Sequence, residues 1–452
     1  VTDGLPSPQR AFAFFAVAIA LTMAVLDGAI VNVALPTIAK NLRIQPSDAI
    51  WIVNAYQLAI TVSLLPLASL GDSVGYRRVY WWGLAVFTVS SLICAFSTSL
   101  TMLAIARMTQ GLGAAGVMSV NIALVRFIFP RARLGRGVGN TALVVAVSSA
   151  AGPSVAAAIL AVASWRWLFL VNVPLGALAL IIAARALPGT PASGHRLDIA
   201  SVILNALAFG LMIIGVDQIR QGENVAPVAA LAGAAVAGAF LARRELKQPA
   251  PLLPVDLLKR PIFALSMASS ITSFSAQALS YVALPFYFED ALHRSETATG
   301  LMMTPWPLAT ALMAPIAGRL ADRYAPGKLG SLGLIMLSAG LVLVATLPDA
   351  PASADVVWRL AICGLGFGLF QSPNNKILIS SAPRERSGGA SGLQATGRLV
   401  GQSLGTAVMA VIFELAPGRQ TGIALSLAAG LALVGAIASG LRRPVASRSA
   451  EV

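Results

Sequence analysis

Charge is what this 452-residue chain has least of: 11% of its residues are charged and 57% are hydrophobic, where a soluble domain carries about a quarter charged residues. So sparse an ionic surface excludes an ordinary water-soluble domain and predicts an all-α polytopic membrane protein. Only two cysteines occur, Cys94 and Cys363, both inside apolar runs, which leaves no disulfide framework and reads as two small core hydrophobes. Both histidines fall outside those runs. With no histidine and no paired carboxylates inside the membrane, neither a metal centre nor an enzyme is expected, and no cofactor either. Acids are outnumbered by bases, 18 to 32, for a net charge of +14. In a soluble protein that excess would suggest nucleic acid, but here the cations sit in short loops between apolar segments, so no nucleic-acid partner is expected.

What is there instead is length of apolar sequence. A helix crossing about 30 Å of hydrocarbon needs about 20 mostly apolar residues. Such runs cover 11–36, 49–70, 79–97, 100–124, 138–162, 166–187, 197–216, 225–242, 262–286, 298–318, 329–347, 355–374, 388–414 and 420–440, which predicts fourteen spans. An even number places both termini on one side. Lys and Arg favour alternate loops by about three to one, so the positive-inside rule puts both termini in the cytoplasm.

Two of the cytoplasmic loops resemble one another. The second-span loop reads LASLGDSVGYRR, with Asp72, Gly75, Arg77 and Arg78, and the tenth-span loop reads GRLADRYAPGK, with Asp322 and Arg323. An acid at a helix end, a tight glycine turn and basic residues recurring at equivalent places predict two related six-span halves, 1–190 and 251–452, with a two-helix insert at 191–250. Repeated halves are how secondary transporters build a midplane site that opens alternately to either side.

These loops resemble the signature of the major facilitator superfamily between its second and third spans. RMTQGLGAAG (Arg107, Gln110, Gly111, Gly113, Gly116) is similar to the Arg-containing fourth-span motif, and SSAAGPSVAA (Gly152, Pro153) to the fifth-span motif of drug exporters. WRWLFLVNVPLG and LDGAIVNVALP are similar to the fourteen-span branch of drug:proton antiporters. The resemblance covers essentially the whole chain. It implies a major facilitator fold of fourteen helices in a 6 + 2 + 6 arrangement, in a bacterial cytoplasmic (inner) membrane. It also implies multidrug efflux, hence antibiotic resistance, by alternating access. The first loop departs from the pattern at Ala68 and Ser73, which predicts a weaker latch there, and Ala156 and Ala157 replace two glycines in the fifth span.

One acid stands out. Asp27 lies inside the first span, where an ionised carboxylate costs about 2.5–3.5 kcal/mol on insertion scales. From the residue counts, Asp27 and Arg107 both sit roughly 10–14 Å below the outer surface, and the resemblance implies that spans 1 and 4 are neighbours. A static ion pair is one reading. The sharper one makes Asp27 the proton carrier, because desolvation raises a carboxyl pKa and a nearby cation lowers it. Asp217, Glu289, Asp290 and Glu414 are set aside as lying near boundaries, which leaves one membrane acid and predicts about one proton per cycle. Asp72, Gly75, Arg77, Arg78, Gly152, Pro153, Asp322 and Arg323 are the candidates for conformational gating.

Polar and aromatic residues at depth are the candidate substrate lining: Trp51, Asn54, Gln57, Gln110, Phe274, Gln277, Tyr281, Met303, Trp306, Gln394 and Arg398. Aromatic and methionine surfaces accommodate varied lipophilic ligands by repacking. The expected partners are small lipophilic molecules, protons and the lipid bilayer, with the chain acting as a monomer. Export of cationic or neutral drugs and biocides is the leading expectation. Export of an endogenous amphiphile, a lipid or an anionic metabolite, is the alternative favoured by the two buried arginines.

Overall fold

A computed structural model describes residues 4–190, 198–219, 225–248, 253–348, 350–381, 387–416 and 418–442. Helices account for the apolar runs one by one: α1 (Ser7–Leu42), α2 (Pro46–Val74), α3 (Tyr76–Ala95), α4 (Leu100–Ile128), α5 (Leu134–Val162), α6 (Trp167–Ala186), α7 (Ile199–Gln218), α8 (Val225–Glu245) and α9 (Pro261–Ala291). They continue as α10 (Glu296–Met303), α11 (Pro305–Arg323), α12 (Pro326–Ala345), α13 (Ser353–Ser380), α14 (Ser387–Leu415) and α15 (Gln420–Gly440). No strand occurs among the described residues. In hydrocarbon the backbone must satisfy itself, and a helix does so within one segment.

Thirteen of these helices are long and apolar enough to cross a membrane among the described residues. At the tenth expected span the structure has α10 and α11 instead. Pro305 removes a backbone donor and disfavours the helical region for the residue before it, and the C-terminal end of α11 carries Arg319, Asp322 and Arg323. Thr304 nonetheless keeps helical angles (φ −61°, ψ −36°), and its hydroxyl donates to the Gly300 carbonyl at 2.9 Å. The pair is one interrupted helix. Its lower hydropathy is why a hydropathy count gives thirteen.

Close helix approach depends on glycines, and their contacts repeat. Gly111 of α4 lies against the Tyr56 carbonyl of α2, where an added Cβ would be 2.5 Å away, and Gly364 of α13 lies against the Trp306 carbonyl of α11. Two residues on, Gly113 meets Gly83 of α3, and Gly366 meets Gly333 of α12. Tyr56, Asp72 and Gly83 stand to Trp306, Asp322 and Gly333 at one constant separation along the chain. Small residues let backbones touch, so the same helix triplet is built twice.

Helices α1–α6 meet helices α9–α15 along α1 with α9, α2 with α14, and α5 with α10 and α11. Of the remaining helices, α7 packs on α8, and also against both α2 and α14, so it flanks the seam. The expected boundary at 190/191 abuts a stretch outside the described residues, and the one at 250/251 lies within another. Where the start of α7 meets the end of α8, Asp198 caps α7 and takes two hydrogen bonds from Arg244, each at 2.9 Å. Those bonds hold its carboxyl well below the usual carboxylate range despite some desolvation. A depressed carboxyl contributes stability above its unfolded pKa and loses it as pH falls through the folded value. This staple is therefore expected to survive mild acid, with Asp198→Asn removing the acid-sensitive part; proteolysis of the adjoining loop against pH checks it.

Candidate functional site

The polar centre of the first six helices forms around α1. Asp27 is 1% exposed and Arg107 of α4 is 1% exposed, and the guanidinium Nη1 is ion-paired with Asp27 Oδ2. The other carboxylate oxygen, Oδ1, accepts from Gln110 Nε2 at 2.9 Å and from Asn172 Nδ2 of α6 at 3.2 Å. Gln110 is saturated in turn: Nε2 also donates to Ser91 Oγ at 2.8 Å, and Oε1 accepts from Arg107 Nη1 at 2.7 Å and from Cys94 Sγ at 3.6 Å. Arg107 Nε donates to the Ile52 carbonyl at 3.1 Å. Its guanidinium lies 4.0 Å from the Tyr56 ring centroid and 5.7 Å from that of Phe169.

Helical spacing explains the convergence. Arg107 and Gln110, three residues apart, share one face of α4, and Gly111 beside them brings α2 close enough for Ile52 and Tyr56 to reach the guanidinium. Tyr56 donates to the Ala24 carbonyl at 2.9 Å, fixing α2 to α1 one turn from Asp27. In the second triplet, Leu360 and Cys363 stand where Arg107 and Gln110 stand relative to the glycines. The ion pair therefore belongs to one half alone.

The lining candidates separate into groups. Gln110 has no hydrogen-bonding capacity left for a ligand, so it is reassigned from the lining to the ion-pair cluster. Trp51 Nε1 donates to Asp217 Oδ2 at 3.1 Å, and Asn54 accepts from Thr406 of α14, with its Nδ2 buried and unpartnered. Phe274 packs edge-on to Phe367, centroids 5.2 Å apart, and Tyr281 edge-on to Trp306 at 5.1 Å. Met303 and Trp306 are fully buried, and the indole Nε1 of Trp306 has no partner. Gln57, Gln277, Gln394 and Arg398 are half-buried. Arg398 Nε is buried without a partner. The aromatic candidates are thus brought together around α9, α11 and α13, while Trp51, Asn54 and Gln57 form a separate row on α2.

The gating candidates cluster at helix ends. Gly75 adopts φ +99°, a conformation that costs glycine little, and turns the chain so that Arg77 Nη2 reaches the Ala184 carbonyl of α6 at 2.5 Å. Asp72 accepts from the Tyr76 hydroxyl, and Arg78 is exposed. In the second loop Asp322 pairs with Lys376 of α13 at 2.5 Å, while Arg323 is exposed. Gly152 abuts Ala29, two residues from Asp27, and the Pro153 carbonyl abuts Gly300 of α10. Helix α5 thereby touches both the ion-pair helix and the opposite half.

Sequence reasoning missed several residues. Asp217, the penultimate residue of α7, and Glu289, in the last turn of α9, lie at helix ends, yet packing buries their side chains to 4% and 7% exposure. Lys40 in the last turn of α1 reaches Asp290 at 2.9 Å and Glu289 at 3.7 Å, joining the halves at that end. Asn172 and Ser91 were legible only as polar residues in apolar runs. Removing the bridge to Asp290 and Glu289 by Lys40→Ala is expected to lengthen the mean α1–α9 distance at that end, read by spin-label distance measurement; an unchanged distribution would deny the bridge a holding role.

A family model described as Major Facilitator Superfamily matches residues 17–406. The chain is 54% identical over 443 residues to "Uncharacterized transporter YebQ" of Escherichia coli, covering 97% of each chain. It is 31% identical to the riboflavin transporter RibZ of Clostridioides difficile, covering 90% of this chain and 88% of that one. It is 30% identical to the multidrug resistance protein Stp of Mycobacterium tuberculosis, covering 87% of this chain and 74% of that one.

Proposed function

The chain belongs to the Major Facilitator Superfamily, a family of transporters and not of enzymes, and from that premise we propose that it is a proton-coupled antiporter exporting lipophilic cationic or neutral compounds by alternating access. The observation that carries the reading is the Asp27–Arg107 pair, buried at 1% exposure with every other contact on the carboxylate donated by a neutral amide. Stability explains such a pair poorly, because replacing a buried ion pair with apolar residues is often neutral or stabilising. The equivalent Leu360 and Cys363 positions support this, since the second half packs the same way with apolar side chains.

In this mechanism, separation of α1 from α4 leaves Asp27 desolvated without its cation and favours the protonated form, and their approach expels the proton. Helix α5 transmits the rocking through Gly152 on Ala29 and Pro153 on Gly300. We read α10 and α11 together as the tenth of fourteen spans, divided into halves 1–190 and 251–452 about the insert 191–250. Both termini are cytoplasmic, the membrane is a bacterial inner membrane, the chain works as a monomer, and the proton gradient is its only energy source. Substrates dock on the aromatic group of Phe274, Tyr281, Met303 and Trp306.

A resistance panel in a host lacking its own pumps tests this, comparing wild type with Asp27→Asn. Arg107→Lys is expected to fail as well, because a point charge cannot serve Asp27, Gln110, the Ile52 carbonyl and the Tyr56 ring at once. Wild-type drug resistance in Arg107→Lys would show that the planar fork is dispensable. A second reading, export of an anionic amphiphile, is favoured by the unpartnered Nε of Arg398 and by the relative that transports riboflavin. Proton release stimulated by cationic dyes or by anionic amphiphiles separates the two.

A further inference from the structure

Three anchors fall on the first turn of the long segment of α2. The Trp51 indole Nε1 donates to Asp217 Oδ2 of α7 at 3.1 Å. The next residue's carbonyl, Ile52, accepts Arg107 Nε at 3.1 Å. Asn54, further along the same turn, accepts from Thr406 of α14. Trp51 begins the helix after Ile50, and no side chain caps this end. The Ile52 carbonyl thus lies between the two side chains that tie this turn to α7 and α14.

Asp217 is 4% exposed on the insert helix α7, whose other described polar tie to α2 is Asn205 Nδ2 donating to the Val62 carbonyl at 2.8 Å. Two hydrogen bonds to one helix, one near each end of the contact, fix its position along α7 as well as its distance. The geometric consequence of the Trp51 bond lies one residue away, at the carbonyl that orients the guanidinium.

We propose that Asp217 is a positioning residue for proton coupling: by holding Trp51 it sets the Ile52 carbonyl, and through that carbonyl the hold of Arg107 on Asp27. The inference rests on the reading of Asp27 as the proton site and gives the inserted helix pair a part in it. The charged or titratable groups facing Asp27 are Arg107 from α4, Tyr56 from α2 and Cys94 from α3, while α6 contributes the neutral Asn172. Loosening Arg107 therefore acts on the carboxylate through the cation that faces it, and favours the protonated form.

The test is an infrared pH titration of the full chain in liposomes, following the carboxylic-acid C=O stretch that Asp27→Asn removes, each variant read against the same variant carrying Asp27→Asn. Asp217→Ala and Trp51→Phe are each expected to move the midpoint upward by at least about half a pH unit. Asp217→Asn, which keeps an acceptor for the indole, is expected to stay at the wild-type midpoint, and the Trp51→Phe/Asp217→Ala double variant to move no further than either single. A purely packing role would not give that pattern. An unmoved midpoint in both single variants, additive shifts, or an Asp217→Asn shift equal to that of alanine overturns the proposal while leaving the proton site standing. If Asp27→Asn removes no titrating band, the proton-site reading fails and the positioning role fails with it. Should Asp217→Ala not fold, Trp51→Phe breaks the same hydrogen bond from the other side.

Discussion

Asp27→Asn is expected to reduce drug resistance to that of the host without the transporter, while folded protein is still recovered from the membrane. Asparagine is nearly the same size and keeps an oxygen for Arg107, while its amide nitrogen faces the Gln110 and Asn172 donors and gives up those two bonds. It has no titratable group. Removing one partner of a buried ion pair costs about 3–5 kcal/mol when the remaining charge is left uncompensated. Here the guanidinium retains the Ile52 carbonyl, Gln110 Oε1 and the Tyr56 ring, so the loss should fall below that range. Asp27→Ala, which takes away the oxygen facing Arg107 as well, should fall within it. Thermal unfolding by size-exclusion fluorescence separates stability from transport, and wild-type resistance in Asp27→Asn would refute the proton-carrier reading outright.

The second large effect is structural. Gly364→Val is expected to prevent folded protein from accumulating, because a Cβ there overlaps the Trp306 carbonyl and would lie 2.8 Å from the Ala309 Cβ. The obstacle is backbone and cannot rotate away. Gly364→Ala should cost toward the upper part of the about 1–3 kcal/mol typical of overpacking, and Gly111→Ala, in the equivalent contact with Tyr56, should cost a similar amount. Gly430, with nothing within 4 Å of an added Cβ, is the control, and Gly430→Ala is expected to leave the unfolding temperature unchanged. A Gly364→Val protein as stable as the control would show that α11 and α13 do not approach as closely as described.

Most of the helices were legible because hydropathy is a local property of a window about 20 residues long. The tenth span was the hardest, since Pro305 and the charges at the end of α11 dilute that window. The loop repeat was legible because a turn needs its glycine and acid within a few residues of each other, and Gly75 does turn at positive φ. The site was legible only where one residue violated its surroundings: Asp27 and Arg107 announce themselves as charges in apolar runs. Asp217 and Glu289 do the same less loudly, being nearer the ends of their runs, and depth alone was a poor guide to burial.

What the sequence determined by itself was the number of apolar segments to within one interrupted helix, the internal repeat and the two charges that must find each other in hydrocarbon. Each follows from composition over short stretches, where the cost of exposing a polar group to lipid does not depend on the rest of the fold. Only the tertiary structure decided that Gln110 is consumed by Asp27, Ser91 and Arg107 rather than left for a ligand, that Trp51 answers to an acid on the inserted helix, and that Lys40 spans the two halves. Those partners are separated along the chain by anything from three residues, for Arg107 and Gln110, to 250, for Lys40 and Asp290, and packing, which has no local signature, selects among them.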